Sequence, residues 1–367
     1  MGHSRLAPSI TDSVVIFSDV RTPLLCGGLI LLQLVAEAQL LGGAASFNFL
    51  RLPAGAVSSA QGGLVVAQDE SDLSLSFQNP ALLTAVNHAR VQASFLNLPG
   101  GAKNYFLSGS NLSKSSSVAT ALSIQYVDHG EVSSADAGGN VLGRFRPREW
   151  TIQLAASTPY KQRWAGGVSL QFAHASYDTY RADALLSNIG IRYRDTLSGW
   201  HAGAVLRYTG FFIRRFTSND QSVLPVELAF GVWKKLTGSP FSIGCTIQRM
   251  QRWDLDADAL YDPALSLIGM DDRRSTFIGQ FFNHLILSTQ VEVHSRVHVM
   301  GGYNFLRRRE LSWAGGANGL SGFSYGFRAQ FDPVRLAFSR SHYQSGQAMS
   351  QASMEFSLKK PSKGWRR

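Results

Sequence analysis

Apolar side chains recur at every second position along most of this chain, the spacing of a strand with one face in a greasy medium. Val91, Ala93 and Phe95 keep this beat, as do Val168, Leu170 and Phe172; Ala202, Ala204, Leu206 and Tyr208; and Val226, Leu228, Phe230 and Val232. In the run from Val291 to Val299, Val and Ser occupy one face, and Glu292, His294, Arg296 and His298 the other. Reading each run as a strand gives fourteen: 89–97, 102–110, 117–128, 149–158, 163–175, 187–195, 199–209, 224–234, 239–250, 276–288, 291–304, 320–331, 333–343 and 348–358. An even number of antiparallel strands can close on itself and leave no unpaired edge, which a bilayer demands. Apart from the amino-terminal region, no segment approaches 18 consecutive apolar residues, so a helical membrane protein is excluded. A soluble sandwich would strand most of these outward Val, Leu and Phe residues without a core. The expectation is an all-β protein, a single transmembrane antiparallel barrel of about fourteen strands spanning 89–358. Short turns alternate with long connections at 129–148, 210–223, 251–275 and 305–319, which places both termini on the periplasmic side and the long loops outside.

The first residues break the pattern. Leu24 to Val35 is an apolar stretch after Arg21, and it ends in Ala36-Glu37-Ala38, so residues 1–38 read as a signal peptide cleaved before Gln39. Residues 39–88 do not alternate cleanly. They carry Gly62-Gly63 and Asn79-Pro80-Ala81, turn-forming residues that suit a plug or cap against the barrel. Residues 359–367 form a basic tail. Charged residues make up only 16% of the chain, well below a soluble average of about 25%. The net charge is +10. Removing residues 1–38 takes away two Arg and three acidic residues and leaves the remainder still more basic. For an exported chain the counter-charge is lipopolysaccharide or the anionic membrane surface, not nucleic acid. Cys26 leaves with the signal, so Cys245 has no intramolecular partner.

Phe47-Asn48-Phe49-Leu50-Arg51-Leu52-Pro53, Gly62-Gly63 and Gln78-Asn79-Pro80-Ala81-Leu82-Leu83 occur in order, followed by Leu224-Pro225-Val226-Glu227, Gln251-Arg252-Trp253-Asp254-Leu255 and Gly302-Tyr303-Asn304 with Arg307 to Leu311. This ordered set resembles the PorQ family of the type IX secretion system of Bacteroidota, itself similar to FadL-like fourteen-stranded barrels. The Asn-Pro-Ala triplet is the signature of the FadL-like plug. The resemblance implies an outer-membrane subunit acting with the sortase PorU, the barrel PorV and the surface protein PorZ in attaching secreted cargo to lipopolysaccharide. The alternative function is a FadL-like channel for hydrophobic small molecules.

Candidate chemistry is sparse. Asp254, Asp256 and Asp258 open like a calcium loop, but Ala259 and Leu265 stand where an EF-hand needs Gly and Glu, so the series reads as a solvated acidic loop, with a looser Ca²⁺ site the alternative. Arg307, Arg308 and Arg309 on an external connection are candidates for an acidic or phosphate-bearing partner, and Arg214 and Arg215 are a smaller case. His294 and His298, read on one strand, would stand about 13 Å apart, too far to share a metal. The chain has no nucleophile elbow, zinc-protease motif or P-loop. The expectation is a non-enzymatic protein without a cofactor.

Overall fold

The computed structural model describes residues 45–68, 72–112, 117–135, 138, 140–253, 255, 277–313, 319–344 and 347–358. The expected signal peptide at 1–38, the basic tail at 359–367 and the Asp254, Asp256 and Asp258 series lie outside the described residues.

Sixteen strands follow one another among the described residues. They are β1 (Arg90–Asn97), β2 (Lys103–Leu112), β3 (Ala119–Asp128), β4 (Val132–Ala135), β5 (Val141–Phe145), β6 (Arg148–Tyr160), β7 (Trp164–Tyr177), β8 (Tyr180–Asp195), β9 (Trp200–Arg214), β10 (Glu227–Lys235), β11 (Phe241–Ile247), β12 (Leu285–His294), β13 (Val297–Asn304), β14 (Phe323–Phe331), β15 (Val334–Gln344) and β16 (Gln347–Ser357). Fourteen of them form a closed antiparallel barrel, and β4 pairs only with β5 as a separate hairpin. Closure is made by β1 against β16, with Arg90 opposite Ser357 and Asn97 opposite Ser350. In β6, Ile152 and Leu154 are exposed while Thr151, Gln153 and Ala155 are buried, and this division holds around the wall. Outside is an apolar belt for lipid, and inside are Ser, Gln, Asn and Ala.

Two short helices, α1 (Ala56–Ala60) and α2 (Leu75–Gln78), and three 3-10 turns at Asn48–Arg51, Pro80–Leu82 and Ala85–Asn87 precede β1. They are almost wholly buried within the barrel. Ala56, Val57 and Ala60 pack on Met300 and Ala337, Leu73 and Leu83 on Ala119 and Ala121, and Phe77 meets Phe106 edge-on at 5.4 Å. The wall offers small side chains where the plug comes close.

The structure corrects the sequence reading in five places. The span 276–288 begins as a helix, α3 (Phe277–Asn283), because Phe277, Ile278, Phe281 and Phe282 repeat with helical rather than strand spacing. The alternating run 291–299 is not one strand: Ser295-Arg296 is the turn between β12 and β13. Val291 faces Val299 and Glu292 faces His298 across it, so the alternation continues in step through the reversal, and periodicity cannot see the turn. Thus His294 and His298 sit on neighbouring strands. The connection 305–319 contains a helix, α4 (Phe305–Trp313), and 129–148 contains the β4–β5 hairpin. Tyr208, expected on the lipid face, is fully buried inside.

Among the described residues, one end of the barrel carries short turns, at 161–163, 196–199, 236–240, 295–296 and 332–333, while β4–β5, α3 and α4 crown the other. Short turns belong to the periplasm, so the crowned end faces outward.

Candidate functional site

Asn79 follows α2 in an extended conformation, which turns its side chain back over the next residues. Its Oδ1 accepts from the Ala81 backbone N–H at 3.0 Å and caps the Pro80–Leu82 turn, while its Nδ2 donates to the Val66 carbonyl at 2.9 Å. Pro80 fits the first helical position because no N–H is needed there. Beneath this knot the wall is bare. A Cβ on Gly190 would lie 2.0 Å from Asn79 Oδ1, one on Gly167 would lie 2.4 Å from the Pro80 carbonyl carbon, and one on Gly203 would lie 2.4 Å from the Val66 oxygen. Gly167 and Gly190 are cross-strand partners, as are Gly203 and Gly231. These four glycines were not singled out in the sequence. The signal existed: each occupies an inward position of an alternating run where a polar side chain is expected.

The opposite half of the plug is held by wall side chains. Ser353 Oγ accepts from Ala56 N–H at 2.8 Å, Gln351 donates to the Pro53 carbonyl at 3.1 Å, Ser324 to that of Ala60 at 3.0 Å, and Ser288 to that of Gln61 at 2.9 Å. Gly62 turns the chain at φ 95°, and its carbonyl accepts from both Asn304 Nδ2 and Arg307 Nη2 at 3.1 Å. Neutral groups satisfied in this way contribute about 0.5–1.5 kcal/mol each, so the plug is seated by many modest bonds. Substituting Asn79→Ala removes a cap and leaves the Val66 carbonyl without its donor. A loss of roughly 1–3 kcal/mol is expected, read as a lowered temperature of the folded-to-unfolded mobility shift on electrophoresis.

Arg307 therefore differs from its expected role: it lies inward against the plug and is buried, whereas Arg308 and Arg309 are half-buried on α4. Arg214 pairs with Asp183 at 2.5 Å, and Arg215 donates to the carbonyls of Asp220 and Ser222 and covers the Phe212 ring. Arg214 thus ties β9 to β8, and Arg215 shapes the connection from 215 to 226. That connection in turn holds the start of the plug, through Ser46 N–H to the Val223 carbonyl at 3.0 Å and a Ser46–Ser222 hydroxyl bond at 2.7 Å.

A register shift between β8 and β9 brings two consecutive residues, Arg207 and Tyr208, inside. Tyr208 adopts a left-handed conformation at φ 59°, unusual for a bulky side chain, and its hydroxyl donates to the Leu50 carbonyl at 2.5 Å. Arg207 pairs with Glu227 directly across from it on β10, both deeply buried. A cavity of about 200 Å³ lies beside this pair, bounded also by Arg51 and Gly62.

At the crowned end a larger cavity of about 910 Å³ opens between the first plug residues and the loops. Phe47, Phe49, Leu98, Val127 and Phe216 give it an apolar lining, broken by the buried Glu149. That carboxylate accepts from the Tyr177 hydroxyl at 2.6 Å and faces His129 Nε2 at 2.8 Å. The bond to Glu149 raises the His129 pKa above its usual value, against an opposing effect of burial. Because the folded pKa is the higher one, the imidazolium stabilises the loop fully below about pH 6.5, and this contribution fades as pH rises through the raised value. Limited proteolysis of the 129–147 connection is expected to accelerate across that range in the native protein and to lose the pH dependence in His129→Gln.

No protein-family model and no curated protein matches the chain. Among solved structures it is similar to the Pseudomonas putida toluene transporter TodX at 11% identity, with a TM-score of 0.50, over 83% of this chain and 96% of that one. It is also similar to the CymD monoaromatic hydrocarbon channel at 15% identity, with a TM-score of 0.52, over 86% and 100%. A Pseudomonas aeruginosa FadL homologue aligns at 10% identity over 83% and 98%, with a TM-score of 0.45. The fold is that of a FadL-type outer-membrane barrel. Closure of all fourteen strands and the apolar belt agree with an outer-membrane location.

Proposed function

We propose that this FadL-type barrel is a non-enzymatic outer-membrane component of the type IX secretion system, working with partner proteins to attach secreted cargo to the cell surface. The observation that carries the reading is the seated plug. It is set into bare backbone on β7 to β9 and bonded to β12 to β16, so the middle of the barrel is filled and its lining is polar. A hydrocarbon route along the barrel axis would need that plug to move, and a channel would otherwise need an apolar pocket leading to a lateral opening. Gly62-Gly63 and Asn79-Pro80-Ala81, two members of the ordered set that resembles the PorQ family, build the seat; the Asn-Pro-Ala triplet by itself is the FadL-like plug signature and fits the competing reading as well. The crown offers surface for the partners, a sortase of the PorU kind, PorV and PorZ: exposed Phe277 and Ile278 on α3, and Arg308 and Arg309 on α4.

The competing reading, a channel for hydrophobic small molecules, draws on the apolar lining of the crown cavity. Crosslinking in cells followed by affinity purification separates the two. Recovery of a sortase or other secretion partner supports docking. Absence of any such partner, together with saturable binding of a labelled fatty acid, would favour the channel.

A further inference from the structure

The outer wall is not uniform. Around β6 to β8 the lipid-facing positions pair Leu154 with Leu170 and Val168 with Ile189, so large branched side chains stand opposite one another. Around the closure seam the outward positions Ala352 on β16 and Ala93 on β1 are small, and the wall sinks into a groove of about 730 Å³. Two aromatic pairs form its banks. Phe95 and Tyr105 stand 5.3 Å apart on one side, and Phe327 and Phe338 stand 6.1 Å apart on the other. Ala352 lies between them, since its cross-strand partners are Phe338 and Phe95. The slot is one side chain wide and continues past Ala93.

The next outward row toward the crown is polar. Arg340 is opposite Ser350, Ser350 opposite Asn97, and Asn97 opposite Lys103. With strands about 4.8 Å apart, the two cations stand about 14 Å apart above the slot, with small polar residues between them. Both are exposed, and neither has an ion-pair partner among the described residues. The carboxylate nearest in register, Asp128 opposite Lys103, is engaged by Arg146. Uncompensated cations at the external border of an apolar belt meet headgroups and attract phosphate.

We propose that this groove is a binding site for an acylated, phosphate-bearing lipid of the outer leaflet, of the lipopolysaccharide class, with an acyl chain in the Ala352–Ala93 slot and phosphates at Lys103 and Arg340. The site does not depend on the secretion reading, because it lies on the bilayer face rather than on the crown or the plug. The crown end marks the external leaflet, and charge complementarity selects an anionic headgroup there.

The test uses the full protein in nanodiscs of phosphatidylcholine with added lipopolysaccharide, and lipid retained on the released protein is counted by native mass spectrometry. Wild type is expected to retain one lipopolysaccharide. The pair Lys103→Gln with Arg340→Gln is expected to retain at least tenfold less. Ala352→Trp, which fills the slot, is expected to lose as much, while Leu170→Trp on the far wall retains the wild-type amount. Heat-dependent electrophoretic mobility verifies folding, and Ala352→Met replaces the Trp variant if that one fails to fold. Equal retention by all variants overturns the site. Equal retention of phosphatidylglycerol overturns the assignment to the lipopolysaccharide class. Crosslinking of Ala352→Cys to a protein in cells, in place of lipid, also overturns the proposal.

Discussion

Valine at both Gly167 and Gly190 is expected to unseat the plug while leaving the barrel closed. Each new Cβ would have to occupy space held by the Pro80 carbonyl group or the Asn79 side chain, at 2.4 and 2.0 Å. Real Cβ atoms do not approach so closely, and a backbone group cannot rotate away as a flexible side-chain end can. Overpacking costs about 1–3 kcal/mol per site where neighbours can shift, so two adjacent sites, one against the Pro80 backbone and one against an Asn79 side chain held by two hydrogen bonds, should cost roughly 3–6 kcal/mol. That exceeds what the Asn79 bonds contribute, at about 1 kcal/mol each. The strand ladder itself gains, since valine favours strands more than glycine does. Trypsin reports the outcome: Arg51 lies in the buried plug, so cleavage after it should be slow in wild type and fast in the double variant. Gly166→Val is the control, because a Cβ there meets nothing within 4 Å. Matching digestion of control and double variant would refute the seat.

The exterior of this protein was legible and the interior largely was not, for a physical reason. Lipid imposes one demand, an apolar side chain at every outward position, and that demand is written locally along each strand. Hence Val168 with Leu170 and Ile152 with Leu154 announce the wall. Interior positions answer to whatever segment lies across the lumen, often more than a hundred residues away in sequence. Ser353 accepts from Ala56, and Ser324 donates to Ala60. Nothing near either serine predicts its partner. Arg307 shows the same limit. Beside Arg308 and Arg309 it reads as part of a surface cluster, yet helical geometry turns neighbours to different faces, and it reaches the Gly62 carbonyl. Tyr208 fails differently: a one-residue register shift flips it inward while the sequence keeps its alternation.

That same shift creates a vulnerable point in the barrel. Tyr208 and Arg207 are forced inside together, and Arg207 is compensated by Glu227 across the β9–β10 pair. Glu227→Ala should destabilise the protein by about 3–5 kcal/mol, because a guanidinium would remain in the lumen beside Arg51 without its carboxylate. Glu227→Gln preserves shape and one acceptor and should cost less. The test of cause is the double replacement Arg207→Met with Glu227→Met. Removing both charges also removes the desolvation penalty, so most of the loss should return, leaving the double variant within about 2 kcal/mol of wild type. Urea unfolding of vesicle-embedded protein, followed by tryptophan fluorescence, measures the four corners of this cycle: wild type, Arg207→Met, Glu227→Met and the double variant. If the double variant is as unstable as the sum of its singles, the pair is not the reason the inward flip is tolerated. The bond from the Tyr208 hydroxyl to Leu50 would then carry that burden, and Tyr208→Phe would become the more damaging change.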